Sequence, residues 1–116
     1  MSKNTIIPQI KAVLELDKTI HEPARFVILA ILLSVENADF TYLMAQTGLT
    51  QGNLSAHLNK LDAAGLISVK KTFEGKRPKT TLQITCVGAG KLKTQSKTLA
   101  RFLAMIDVKA QNLPNT

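Results

Sequence analysis

The sequence predicts a mostly helical domain that carries one small antiparallel β hairpin. Three observations predict it. Apolar residues recur at helical spacing in Thr5 to Leu16 and again in Leu49 to Ile67. After Gly65 the period drops to two, with Leu66 to Lys71 alternating and Thr80, Leu82 and Ile84 alternating in their turn. Past Thr85 a helical pattern returns, and Leu92, Leu99 and Ile106 stand seven residues apart. A chain of 116 residues, 45% of them hydrophobic, makes a single domain with a modest core and no bulk disorder.

Each element follows in order. Ile6, Ile10, Val13 and Leu14 define a first helix, with Pro8 tolerated in its first turn. Asp17 to His21 is a polar break. Pro23 suits the first position of a second helix, where its missing N–H costs nothing. Arg25 to Leu33 is apolar nearly all round, which predicts the most buried element. Ser34 to Asp39 reads as a polar connection. Phe40 or Thr41 opens a short third helix with Tyr42, Leu43 and Met44, closed by Gly48. Gly48-Leu49-Thr50 is then a tight turn into a fourth helix, so the pair makes a helix-turn-helix. Ala45 is small enough to let the two helices cross closely.

Thr50 is placed to cap the fourth helix, and Gly65 to end it in a left-handed residue. Leu54, Leu58 and Leu61 form its buried stripe. The opposite side carries Gly52, Asn53, Ala56, Asn59, Lys60 and Ala63, with Ser55 on one flank and His57 on the other. Small residues and amides suit close approach to another surface, such as the floor of a major groove. An ordinary amphipathic helix with an inert outer side is the competing reading.

Phe73 to Lys79 reads as the basic tip of the hairpin, with Gly75 and Pro78 as turn residues. Thr85 is the candidate cap of a last helix from Cys86 to about Ile106, whose first turn Gly88 and Gly90 weaken. Leu92, Leu99, Phe102, Leu103 and Ile106 give it an apolar seam, with Ser96 beside them. Lys91, Lys93, Lys97 and Arg101 lie opposite. Such a seam is costly to leave wet, which predicts a second copy of the chain as partner; folding back on the first helix is the alternative. The chain then divides into an N-terminal helical segment (1–20), a core (21–85), a dimerisation helix (86–110) and a frayed tail (111–116).

Charge narrows the function. Residues 1–49 hold four Lys/Arg against five Asp/Glu, 50–79 hold six against two, and 80–116 hold five against one. The net +7 is therefore confined to the part that begins at the fourth helix, which points to a polyanionic partner. Aromatics are only 4%, too few for a stacking platform on single strands. The two histidines, the single cysteine and the scattered carboxylates show no metal-ligand spacing, and no phosphate-binding glycine motif is present. No enzyme activity, metal or cofactor is expected. Cys86 has no partner for a disulfide and is expected to be a semi-buried structural thiol in preference to a redox switch. No signal sequence or bilayer-spanning run is visible, so the expected place is the cytoplasm, in association with the nucleoid.

Thr47-Gly48-Leu49-Thr50, Asn53-Leu54-Ser55-x-His57-Leu58-x-x-Leu61-x-x-x-Gly65-Leu66-Ile67 and Leu82-x-Ile84-Thr85-x-x-Gly88 closely resemble the winged-helix transcriptional regulators. The likeness is to small stand-alone regulators related to the MarR and ArsR families, and runs from about Pro23 to Leu103. It implies a winged helix-turn-helix with an added C-terminal dimerisation helix, a homodimer, a recognition helix in the major groove and flanking wings. Many such relatives are repressors. The cysteine and histidine sets of ArsR-type metal sensors are absent, which disfavours metal sensing. The longer helical additions usual around a MarR ligand pocket are absent too, so a small-molecule effector is not supported.

The expected DNA contacts are Thr50, Gln51, Asn53, Ser55, Ala56, His57, Asn59 and Lys60 on the recognition helix. Lys70, Lys71, Lys76, Arg77 and Lys79 are the expected contacts on the wing. Asn53 and Asn59 suit adenine, and Ala56 a thymine methyl. His57, at the edge of the apolar stripe, is expected either to approach the DNA backbone or to pack against the third helix. A protein–protein module and an RNA-binding winged helix are the alternatives to double-stranded DNA.

Overall fold

The computed structural model describes residues 7–114. Its elements are α1 (Ile7–Leu14), α2 (Pro23–Ser34), β1 (Ala38–Asp39), α3 (Phe40–Thr47), α4 (Gln51–Ala63), β2 (Ile67–Glu74), β3 (Arg77–Ile84) and α5 (Cys86–Gln111). The expected start of the first helix at Thr5 and Ile6, and the last two residues of the expected tail, lie outside the described residues.

Local chemistry sets the helix ends. Pro23 opens α2 as expected, and the Glu22 carboxylate accepts from the Ala24 and Arg25 amides at 3.2 and 2.9 Å. Asp39 accepts from the Tyr42 amide at 2.7 Å to start α3, and Gly48 ends it at φ 71°. In the turn to α4 the Thr47 hydroxyl accepts from the Leu49 amide and donates to the Leu43 carbonyl. Thr50 caps α4 by accepting from the Asn53 amide at 3.2 Å.

The core gathers Ile28, Leu29 and Leu32 of α2, Leu43 of α3, Leu54, Leu58 and Leu61 of α4, and Leu66, Ile67, Leu82 and Leu92. Ile20, inside the expected polar break, is also fully buried. α2 is the most buried of the described helices, as expected, although its outer side leaves Val27 and Leu33 about half exposed. One expectation about packing needs correction. Ala45 is exposed and is not the crossing point, since α3 and α4 both pack on α2.

The sheet has one strand more than the hairpin. Ala38 and Asp39 pair with Leu82 and Thr81, giving the order β1-β3-β2. Two residues are too few to show a period, so this strand looked like a connection. The hairpin strands are longer than their alternation suggested. Each has eight residues, the register runs from Ile67↔Ile84 to Glu74↔Arg77, and only Gly75 and Lys76 turn between them. Gly75 takes φ 67°, as a tight hairpin turn requires. Pro78 therefore sits within β3. It is tolerated because β1 reaches only residues 81–82 and leaves that side of β3 open.

The junction of α4 with β2 is tightly specified. The Leu66 amide donates to the Leu61 carbonyl and the Gly65 amide to that of Asp62, both at 3.0 Å, with Gly65 left-handed at φ 74°. This is a Schellman ending, and Leu61 and Leu66 supply its apolar contact inside the core. The Thr85 hydroxyl donates to the Gly65 carbonyl at 2.7 Å and accepts from the Gly88 amide at 3.0 Å. One side chain thus ends one helix and caps another. Gly88 is packed so closely that a Cβ there would overlap the Leu66 carbonyl oxygen.

α5 runs five residues beyond its expected end and carries the chain away from the core, giving extents of 66 × 31 × 23 Å. α1 packs along it. Leu92 lies 4% exposed in the chain's own core, so the seam open to a partner begins farther along. Leu99 and Phe102 are half-buried, whereas Leu103 and Ile106 are 57% and 50% exposed.

Candidate nucleic-acid interface

The stripe Leu54-Leu58-Leu61 fixes how α4 is rotated. Those three side chains are at most 6% exposed, so the opposite side must face outward. Thr50, Gln51, Gly52, Asn53, Ala56, Asn59, Lys60 and Ala63 are all exposed, and Ser55 is partly so. No described part of the chain covers that surface. It offers amide donors and acceptors, a methyl and one cation, with no acidic group before Asp62.

Beside it β2 and β3 extend past the core. Paired residues in an antiparallel ladder point to the same side. Lys70, Thr81, Thr72, Lys79, Glu74 and Arg77 therefore share one face. Ile67, Ile84, Val69, Leu82, Lys71, Thr80, Phe73 and Pro78 share the other. Lys79 pairs with Glu74 at 3.2 Å on the outer part of the ladder. Among the described residues Lys70, Lys71, Lys76 and Arg77 pair with no carboxylate and stay exposed. Four uncompensated cations on a projecting ribbon suit a phosphate backbone.

His57 differs from its neighbours on α4. Its Nδ1 stands 3.2 Å from an Arg25 guanidinium nitrogen and 3.6 Å from Glu22 Oε2. Both contacts hold its imidazole to the start of α2. Arginine can only donate, so the Arg25 contact is a hydrogen bond when Nδ1 is bare and Nε2 carries the proton. Arg25 is itself buried. It donates to the carbonyls of Thr19 and Lys18, and its guanidinium lies 3.9 Å from Glu22. Burial pushes the Glu22 carboxyl up. The Arg25 and Ala24 amides and the charge of Arg25 outweigh it and hold the group below its ordinary range. The cluster locks α4 to α2. A lone cation and an acid at the mouth of an apolar run were its sequence signal.

Other chemistry is not assembled. Among the described residues no group of His, Cys, Asp and Glu could hold a metal ion. Cys86 is exposed, which corrects the expected semi-buried thiol. No described helix is long and apolar enough to cross a membrane.

Comparison with known proteins agrees with this geometry. The model of the winged-helix DNA-binding domain family matches residues 24–103. An uncharacterised protein from Methanocaldococcus jannaschii is 39% identical over 71 residues, spanning 61% of this chain and 77% of that one. A transcriptional regulator homologue from Pyrococcus horikoshii superposes with a TM-score of 0.79 at 27% identity, over 86% of this chain and 98% of that one. A candidate MarR-family regulator from Enterococcus faecalis gives 0.72 at 20% identity, over 90% and 91%. The transcriptional regulator BldR from Sulfolobus solfataricus gives 0.59 at 20%, over 98% and 83%. With α4 following α3 through a three-residue turn and a basic hairpin behind it, the chain belongs to the winged-helix DNA-binding domain family.

Proposed function

We propose that the chain is a homodimeric regulator that binds double-stranded DNA by sequence and represses by occupying its site. One observation carries the reading: α4 shows an open, amide-rich outer face beside a hairpin bearing four uncompensated cations. In this reading Gln51, Asn53, Ala56 and Asn59 meet base edges in the major groove. Thr50, Ser55, His57 and Lys60 meet the flanking backbone. Lys70, Lys71, Lys76, Arg77 and Lys79 hold phosphates beside the minor groove. Leu99, Phe102, Leu103 and Ile106 form the dimer seam. Exposed Ile10 and Leu14 of α1 extend the apolar surface. A two-fold dimer sets its recognition helices about 34 Å apart, one turn of duplex. Steric repression needs no further domain, and the reading requires no cofactor or effector.

The test starts with a site enriched by the protein from a random duplex pool. Asn59→Ala should weaken binding to that site by about tenfold and leave random duplex nearly unchanged. Equal losses on both would remove base reading from α4. Replacing Lys76 and Arg77 with Ala should weaken both duplexes alike and lower the salt slope by about two per bound protomer, about four for the dimer. An unchanged slope would take the wing out of the interface.

A further inference from the structure

Phe73 is 75% exposed near the far end of the hairpin, and no described residue covers it. It lies on the face that roots the hairpin in the core through Ile67, Leu82 and Ile84. That core ends well before Phe73, so the ring has no packing role in the fold. Its ladder partner is Pro78, which has no amide to solvate, and the pair makes an apolar end to the ribbon. Lys71 shares their face, Lys76 lies in the turn and Arg77 adjoins Pro78. The nearby acid, Glu74, belongs to the opposite face and is paired with Lys79.

We propose that Phe73, backed by Pro78, is a wedge that enters the minor groove, partly unstacks one base step and bends the duplex; this rests on the reading that the wing grips duplex DNA. Charge selects the occupant. An apolar protein surface gives the surrounding cations nothing to pair with, whereas a minor groove has phosphates on both rims and apolar sugars and bases between them. The groove is about 6 Å wide, and strands alone stand about 4.8 Å apart, so tip side chains enter while the ribbon stays outside. Inserted apolar side chains kink DNA away from the protein side by opening a step. The wing then adds shape selectivity that base edges do not carry, favouring sites with a flexible pyrimidine–purine step beneath it.

The experiment uses the full chain and a duplex enriched by the wild type from a random pool. 2-Aminopurine is placed at successive steps under the wing, and fluorophores at the two ends report bending. The wild type should raise fluorescence at one step in each half-site and bend the duplex by about 20° or more. Phe73→Ala should abolish that rise, remove most of the bend and weaken binding about tenfold, with thermal stability unchanged. Phe73→Leu should retain rise and bend. Replacing Lys76 and Arg77 with Ala should cost affinity while complexes formed at low salt still show the rise. A wild type that binds without any rise, or a Phe73→Ala variant that matches it in all three readouts, overturns the wedge and leaves the regulator reading standing. A wild type that enriches no duplex, or prefers structured RNA, overturns both.

Discussion

Arg25 shows how much one side chain can settle. Within 116 residues it is the one buried cation among those described, and it meets two backbone carbonyls, an imidazole and a carboxylate. Arg25→Met should cost roughly 2–4 kcal/mol, read from the urea midpoint, because it strands the carbonyls and Glu22 in a half-buried place. His57→Ala removes one contact of that set and should cost about 1 kcal/mol. The sequence marked His57 as lying at an edge but hid its partner, since Arg25 is 32 residues away and only tertiary folding joins them. Acid sensitivity belongs to the same scale. Burial pushes the Asp17 carboxyl up, but the Thr19 amide and Lys91 outweigh it, so Asp17, like Glu22, is held below its ordinary value. A carboxyl lowered in the fold stabilises fully above its unfolded value and loses that contribution as pH falls through the folded one. The ordinary values are 3.8 and 4.5, so the urea midpoint should begin to drop below about pH 5. The Asp17→Asn, Glu22→Gln double variant should start lower and show a flatter acid limb. An identical limb would place the acid sensitivity elsewhere.

At the scale of elements, signals carried by a few local residues were legible and signals that depend on neighbours were not. Thr50, Gly65 and Thr85 mark helix ends through their own hydroxyls and backbone, and all three act as expected. The strand at Ala38–Asp39 exists only because Leu82 and Thr81 lie beside it. Phe73 to Lys79 looked like the hairpin tip because Gly75 and Pro78 are turn residues, yet only Gly75 and Lys76 turn while Pro78 rides an open edge of β3. The outer face of α4 was readable because three leucines fix its rotation, whereas the exposed ring of Phe73 disappeared into the expected tip. Gly88 and Gly90 looked alike in sequence and are not alike in the fold. A Cβ at Gly88 overlaps the Leu66 carbonyl, whereas one at Gly90 meets nothing within 4 Å. Gly88→Ala should therefore lower stability by roughly 2–4 kcal/mol and loosen the seat of α5 against the hairpin root. Gly90→Ala, in the same helix, should raise stability by up to about 1 kcal/mol through helix propensity. Thermal melts of the two variants should move in opposite directions; a shared direction would mean that the Leu66 approach relaxes freely.

For the whole molecule, shape carries the argument. The radius of gyration is 18.1 Å, against roughly 13 Å for a globule of this length. The excess comes from α5, whose 26 residues span about 39 Å and outrun the core. Folding back on α1 does occur, yet it leaves Leu103, Ile106 and Val108 at half exposure or more, and Leu14 of α1 at 75%. Each such side chain is worth about 1.5–3 kcal/mol on full burial, so covering several by a second copy outweighs much of the cost of association. Gln95 lies farther back on α5, 2% exposed, with neither side-chain polar atom hydrogen-bonded. It weakens the helix's seat, and Gln95→Leu should raise the melting temperature. Replacing Leu103 and Ile106 with Asp tests the assembly itself. Light scattering should shift from twice the chain mass to the chain mass, while circular dichroism keeps its helical signal because these residues lie outside the core. The wild type's melting temperature should rise with protein concentration and the variant's should not. Losing the two-fold pairing of recognition helices should cut affinity for an enriched palindromic site by far more than tenfold and for random duplex only modestly. A variant that is monomeric yet binds the palindrome as the wild type does would show that one copy is enough, and the seam would then need a different partner.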